Sequence, residues 1–228
     1  MNNLLANYEQ YENTWDEMFD DSGKVRTIYS HFGKFLGEAK LDSLNQMKEF
    51  SNQFFKNQGV TFTVYHDNKG VERIFPFDII PRIINSNEWE IIEKGIIQRI
   101  TALNLFLKDV YHEKFIIKDE VIPASLLINN NCYLRQMMKL EVPKNIYTHI
   151  SGVDLIRDKN GELFVLEDNL RTPSGVSYML ENREITRRLY PNLMPIHKVQ
   201  PVDNYPQILY QQLKTLVDKN DPEIVLLT

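Results

Sequence analysis

Between Gly152 and Tyr178 the chain reads GVDLIRDKNGELFVLEDNLRTPSGVSY, and this stretch restricts the fold more than any other. Asn160-Gly161 sits between two segments of alternating character, the strongest short-range signal for a β-hairpin, because both central residues of a type I′ turn need φ > 0. With those two residues as the loop, Lys159 faces Glu162. Counting outward sets Ile156 against Val165, Asp154 against Glu167 and Gly152 against Asn169 on one face. Two carboxylates so placed repel each other and call for a shared proton, a basic side chain or a metal. An Asp, a Glu and an Asn amide form an all-oxygen donor set, suited to Mg²⁺ or Mn²⁺ rather than zinc. A solvated hairpin carrying two unrelated acids has the same pattern. A three-residue loop would send the acids to opposite faces.

The segment that follows, Arg171-Thr172-Pro173-Ser174-Gly175, leads into a helical run over Val176–Leu189. Thr172 is a capping candidate and Pro173 suits a first turn. A helix N-terminus attracts phosphate or carboxylate, and Gly175 lets a ligand approach the backbone. Paired acids, an arginine and an anion-binding turn in one short stretch are the equipment of phosphoryl chemistry.

The run GVDLIRDKNGELFVLEDNLRTPSGVSYMLENR resembles the signature of the circularly permuted ATP-grasp type 2 family, related to glutathionylspermidine synthase. The likeness extends through WDEMFD, NQGVTFTVY, ERIFPFDIIPRII and HKVQPVDNYP, so it covers nearly the whole chain. The resemblance implies an α+β ATP-grasp fold holding ATP and Mg²⁺ (or Mn²⁺) between two halves. It also implies ligation of a carboxylate to an amine through an acyl phosphate. The family's metal ligands, an Asp on one strand and Glu-x-Asn on the next, fall on Asp154, Glu167 and Asn169. Arg171 is the catalytic candidate, Ser174 and Gly175 the nucleotide-contacting backbone, and Arg135 a candidate for holding an acidic substrate. The family continues past Pro222–Thr228 into a second half that carries much of the nucleotide surface. The expectation is therefore an incomplete unit: the metal-binding half of a ligase, or a non-catalytic fragment or subunit needing a separately encoded C-terminal half. A metal-dependent phosphoesterase or a glycosidase uses similar acids but has less in its favour here.

The rest of the chain agrees with an α+β protein. Hydrophobic residues make up 43% of the 228, enough for a core, and the net charge of −5 has no basic stripe for nucleic acid. The single Cys132 excludes an internal disulfide and fits a reducing cytosol. Neither a signal peptide nor a membrane span is predicted. Expected partners are a nucleotide and a small carboxylate, amine or peptide-like substrate.

Residues 1–57 read as a helical N-terminal region, in three pieces between 8 and 57, and 58–228 as the metal-binding half. Val60–Tyr65 and Val71–Phe75 read as strands around a turn at Asp67-Asn68-Lys69-Gly70. Ser86–Glu113 reads as one long helix with Trp89, Ile92, Ile96, Ile100, Leu103, Phe106-Leu107 and Val110-Tyr111 on its buried face. His112 at its end suits the terminal carbonyls. Asp78 and Arg82 are read as pairing with each other, His149 as packed, and Asp168 as pointing away from the metal face. Pro206–Val217 reads as an amphipathic helix and Ile224–Leu227 as a buried strand.

Overall fold

The structure is a computed structural model and describes residues 4–6, 8–66, 69–171, 173–219 and 221–225, with side chains outside 62–72. The chain divides into two compact units. The first comprises 1–85, 155–164 and 174–203; the second comprises 86–154, 165–173 and 204–228.

In the first unit, α1 (Ser30–Glu38) and α2 (Leu41–Asn57) precede an antiparallel hairpin of β1 (Thr61–His66) and β2 (Lys69–Ile74), in which Thr61 faces Ile74 and His66 faces Lys69. Asp67 and Asn68 of the expected turn lie outside the described residues. The stripe Tyr8–Phe19 does not form a helix. Asp16 Oδ1 accepts from the N–H groups of Met18 and Phe19, and Asp20 Oδ1 from those of Ser22 and Lys24. Such local side-chain bonds give the backbone partners that a helix would otherwise supply. Phe19 instead bridges to Val25.

Two apolar clusters form the core of this unit. Phe54 and Phe55 of α2 pack on Phe77 and Ile185, while Tyr29 and Phe32 pack on Tyr190. Full burial of each such side chain is worth about 1.5–3 kcal/mol. The Pro-rich segment after β2 is held by Tyr190, whose hydroxyl donates to Ile79 O at 2.7 Å, and by Tyr29, whose hydroxyl accepts from Ile83 N at 2.8 Å. Asp78 and Arg82 do not pair. Asp78 Oδ1 accepts from Ile80 N, and Arg82 donates to Glu17.

The second unit is built on α3 (Ser86–Tyr111), followed by the short α4 (Phe115–Lys118) and α5 (Ser125–Ile128). The end of α3 is held by Asp109, whose carboxylate accepts from Phe115 N and Ile116 N, and His112 Nδ1 meets Lys108 O at 3.0 Å. Tyr111 is buried and stacks on Tyr133 with ring centroids 5.0 Å apart. The expected buried face of α3 is covered only in part. Ile92 and Val110 are buried with Tyr111, whereas Trp89 is 52% exposed, because the short neighbours α4 and α5 cover little of a 26-residue rod.

The hairpin of β3 (Gly152–Arg157) and β4 (Leu163–Asn169) contributes its tip to the first unit and its base to the second. It is followed by α6 (Val176–Leu189), α7 (Leu193–Ile196) and α8 (Tyr205–Lys214). Among the described residues no strand forms after α8. Ile224 and Val225 are exposed rather than buried, since no sheet neighbour stands beside them, and Leu226 and Leu227 lie outside the described residues. No helix among the described residues is long and apolar enough to cross a membrane.

Candidate functional site

The hairpin loop has three residues, not two. Asp158 N donates to Glu162 O at 2.9 Å, and Gly161 N donates to Asp158 O at 3.1 Å. Gly161 has φ +85° and Asn160 has negative φ, which makes a type I turn closed by a left-handed glycine. Asp158, rather than Lys159, therefore faces Glu162. Extended without interruption, that register would place Asp154 and Glu167 on opposite faces.

The strand is interrupted. From Leu163 to Leu166 half-buried and exposed side chains alternate, then Glu167 repeats the exposure of Leu166, and alternation resumes with Asp168 half-buried and Asn169 exposed. An extra residue in one strand has this effect. At the base of the hairpin, a Cβ placed on Gly152 would lie 3.5 Å from Cβ of Asn169, so these two positions share a face. Asn169 Nδ2 donates to Glu167 Oε1 at 3.0 Å along the strand. By alternation from Gly152, Asp154 lies on this face too. The loop and the extra residue offset each other, and Asp154, Glu167 and Asn169 lie on one exposed face of the second unit.

Asp168 points the other way. Its carboxylate accepts from Arg99 Nε at 2.8 and 2.9 Å and from Arg99 Nη2 at 2.6 Å, tying β4 to α3. This arginine holds the Asp168 carboxyl below its ordinary range. Asn104, one and a half turns along α3, accepts at Oδ1 from Tyr147 N and Thr148 N, 2.7 and 3.2 Å away, just before β3. Arg99 and Asn104 thus fix the chain on both sides of the acid-bearing face. Sequence reading passed over both. The available signal was a polar residue, Asn104, inside the apolar run of α3 and an acid, Asp168, in need of a partner.

Arg171 and Arg135 are exposed in the second unit, and among the described residues their side chains have no hydrogen-bond or ion-pair partner; Arg135 opens a 3₁₀ turn, its carbonyl oxygen accepting from Met138 N. His149 is exposed in the segment before β3, not packed. Cys132 is a free, exposed thiol. Thr172 lies outside the described residues. In the first unit, Gly175 (φ +97°) takes the N-cap position of α6, with Pro173 two residues before it rather than in the first turn, and Ser174 is exposed.

Among the described residues no three His, Cys, Asp or Glu side chains converge. Mg²⁺ is a hard cation that takes oxygen donors, commonly one or two carboxylates, and completes its octahedron with water and substrate phosphate. Two exposed carboxylates with a neighbouring carboxamide fit such an ion.

The sequence model of circularly permuted ATP-grasp type 2 proteins matches residues 81–228, and the chain belongs to that family. It is 42% identical over 218 residues to an uncharacterized protein of Synechocystis sp., covering 95% of this chain and 45% of that protein. An uncharacterized protein of Mycobacterium leprae is 40% identical over 220 residues, 96% of this chain and 38% of that one. A Frankia casuarinae protein bearing the provisional name glutamate–cysteine ligase 2-2 is 33% identical over 227 residues, 96% of this chain and 26% of its own. The chain spans less than half the length of each of these relatives.

Proposed function

We propose that this chain is the metal-binding part of an ATP-dependent carboxylate–amine ligase working in the cytoplasm, with residues 58–228 as its ATP-grasp portion. The observation that carries the reading is the shared exposed face of Asp154, Glu167 and Asn169, whose alignment survives an irregular hairpin. Family membership and the provisional name of the Frankia relative support it.

Asp154 and Glu167 supply carboxylate oxygens, and Asn169, whose amide nitrogen is turned to Glu167, offers its carbonyl oxygen. When bound, Mg²⁺ supplies charge neutralisation on nucleotide phosphate oxygens. Arg171 offers a planar fork of donors to a phosphoryl group, a geometry lysine lacks. Ser174 and Gly175, at the start of the 14-residue α6, offer backbone N–H groups to an anion. Arg135 is assigned to an acidic substrate. The reaction class transfers the terminal phosphoryl group of ATP to a carboxylate oxygen, releasing ADP; an amine then attacks the acyl carbon and phosphate leaves.

Titration calorimetry with Mg·ATP, alongside Mn²⁺ titration followed by electron paramagnetic resonance, tests the reading. The native chain is expected to bind Mn²⁺, and Glu167→Gln to weaken binding at least tenfold. Equal Mn²⁺ affinity in the two proteins would remove the ligand role.

A further inference from the structure

We infer that the cleft between α6 and the returning segment 191–203 binds a small organic acid, its carboxylate on Arg183 and its apolar body against Leu180, Met194 and Val199. The site is independent of the ligase reading. Every residue that lines the cleft belongs to the first unit, whereas Asp154, Glu167 and Asn169 belong to the second.

The local sequence builds the cleft. Leu180, Arg183, Glu184 and Arg187 recur at helical steps, so α6 turns them to one side. Pro191 cannot continue that helix. After the short α7 the chain turns at Lys198, which is left-handed with φ +48° and donates its N–H to Pro195 O at 3.1 Å. The chain then returns to α6, where Arg183 Nη1 donates to Gln200 O at 2.6 Å. What lies between is a cleft of about 780 Å³, the size of a small-molecule site.

The cleft holds more positive charge than its own residues neutralise. Glu184, the acid that α6 contributes to the lining, is already shared: Arg187 Nε donates to its Oε2 at 3.0 Å and Arg188 Nε to its Oε1 at 2.7 Å. Arg183 is half-buried and meets no carboxylate among the described residues. A guanidinium has five N–H donors, and Gln200 O is the one protein acceptor that the described residues give this one. Burial pushes Arg183 below the ordinary arginine value, the direction for a cation taken out of water with no anion beside it. Lys198, on the returning segment, is exposed and has no ion-pair partner among the described residues. Asp203, the remaining acid of the lining, is exposed and likewise unpaired. Set against Arg183 and Lys198, it leaves one positive charge in surplus.

A carboxylate takes the planar fork of an arginine in two parallel hydrogen bonds. The walls decide the rest of the ligand. Leu180, Met194, Pro195 and Val199 are apolar, so an inorganic anion would leave them wet, whereas an acid with an aryl or alkyl body would cover them.

The test titrates the chain with phenylbutyrate, and separately with phenylbutylamine and inorganic phosphate, following the Met194 methyl and Arg183 Nε–H resonances by NMR. Phenylbutyrate is expected to shift both saturably, with a Kd below about 10 mM. The amine and phosphate should bind at least tenfold more weakly. Arg183→Met should weaken phenylbutyrate binding at least tenfold. Asp203→Asn removes the competing acid and should tighten binding about two- to threefold, the effect of one exposed charge. Because Asp203 is exposed and unpaired, that variant should match the native chain by circular dichroism, and it decides the matter if Arg183→Met folds poorly. Absence of a saturable Met194 shift with phenylbutyrate overturns the inference. So does equal binding of the amine or of phosphate, or an affinity that neither substitution changes. Mn²⁺ affinity, measured on the same samples, should equal that of the native chain in both variants, so the ligase reading stands or falls separately.

Discussion

Gly152 and Asn169 face each other at the base of the hairpin so closely that a Cβ on the glycine would lie 3.5 Å from Cβ of the asparagine. The same added carbon would come within 3.1 Å of Cβ of Pro173. The contact with Asn169 would be ordinary, but that with Pro173 would be tight, so a side chain here requires Pro173 to give way. The chain leaving Asn169 through Arg171 folds back across the strand that holds Asp154.

Gly152→Ala should displace Pro173 by a few tenths of an ångström and cost about 1 kcal/mol in thermal or denaturant unfolding. Because the added carbon also presses on Cβ of Asn169, at 3.5 Å, Mn²⁺ affinity should fall several-fold in the same variant. A variant that loses stability yet binds Mn²⁺ normally would show that the close approach serves packing alone.

Arg157 fastens the tip of the same hairpin. Its side chain is 9% exposed, donating to Gly161 O at 2.8 Å and to Glu17 Oε1 at 3.1 Å, beside the Trp15 ring. Arg157→Met keeps the stem and removes the charged donors, and should cost about 2 kcal/mol, the range for hydrogen bonds to charged groups. A double-mutant cycle with Glu17→Gln measures the shared part. Additive losses would mean that the two residues act independently.

The Asp168 carboxyl is held low by Arg99, so the folded protein binds its proton less readily than the unfolded chain. The resulting stabilisation is complete above the ordinary aspartate value near ~3.9 and is lost as the pH falls through the lower native value. Carboxyl titration by NMR should place Asp168 below free aspartate in the native protein and return it toward the ordinary range in Arg99→Met. Hydrogen exchange at Tyr147 and Thr148, held separately by Asn104, should change less than exchange in β4.

Counting outward from the turn reached Asp154, Glu167 and Asn169 because two irregularities, the three-residue loop and the extra residue in β4, offset each other. The route was wrong in detail. Asn-Gly serves equally as the middle and end of a three-residue loop, and nothing local distinguishes the two. The extra residue at Leu166-Glu167 leaves no compositional mark, since both are ordinary strand residues. The N-terminal stripe misled for another reason: aromatic spacing matched a helix, while Asp16 and Asp20 tied the backbone into turns. Arg82 went to Glu17 rather than Asp78, and Arg99 to Asp168, across separations of 65 and 69 residues that pattern reading does not reach. The long helix was found nearly to its ends. How little of it this chain would cover was not visible, because covering depends on neighbours, not on the helix itself.

The two offsetting irregularities of the hairpin bear on how this ribbon tolerates changes of length. Leu166 is surplus to the ladder: excising it leaves Asp154 across from Glu167 and Gly152 across from Asn169, with the loop untouched. A one-residue contraction at Leu166 would leave these side chains facing as they do, whereas one elsewhere between the loop and Glu167 would turn Glu167 and Asn169 to the other face.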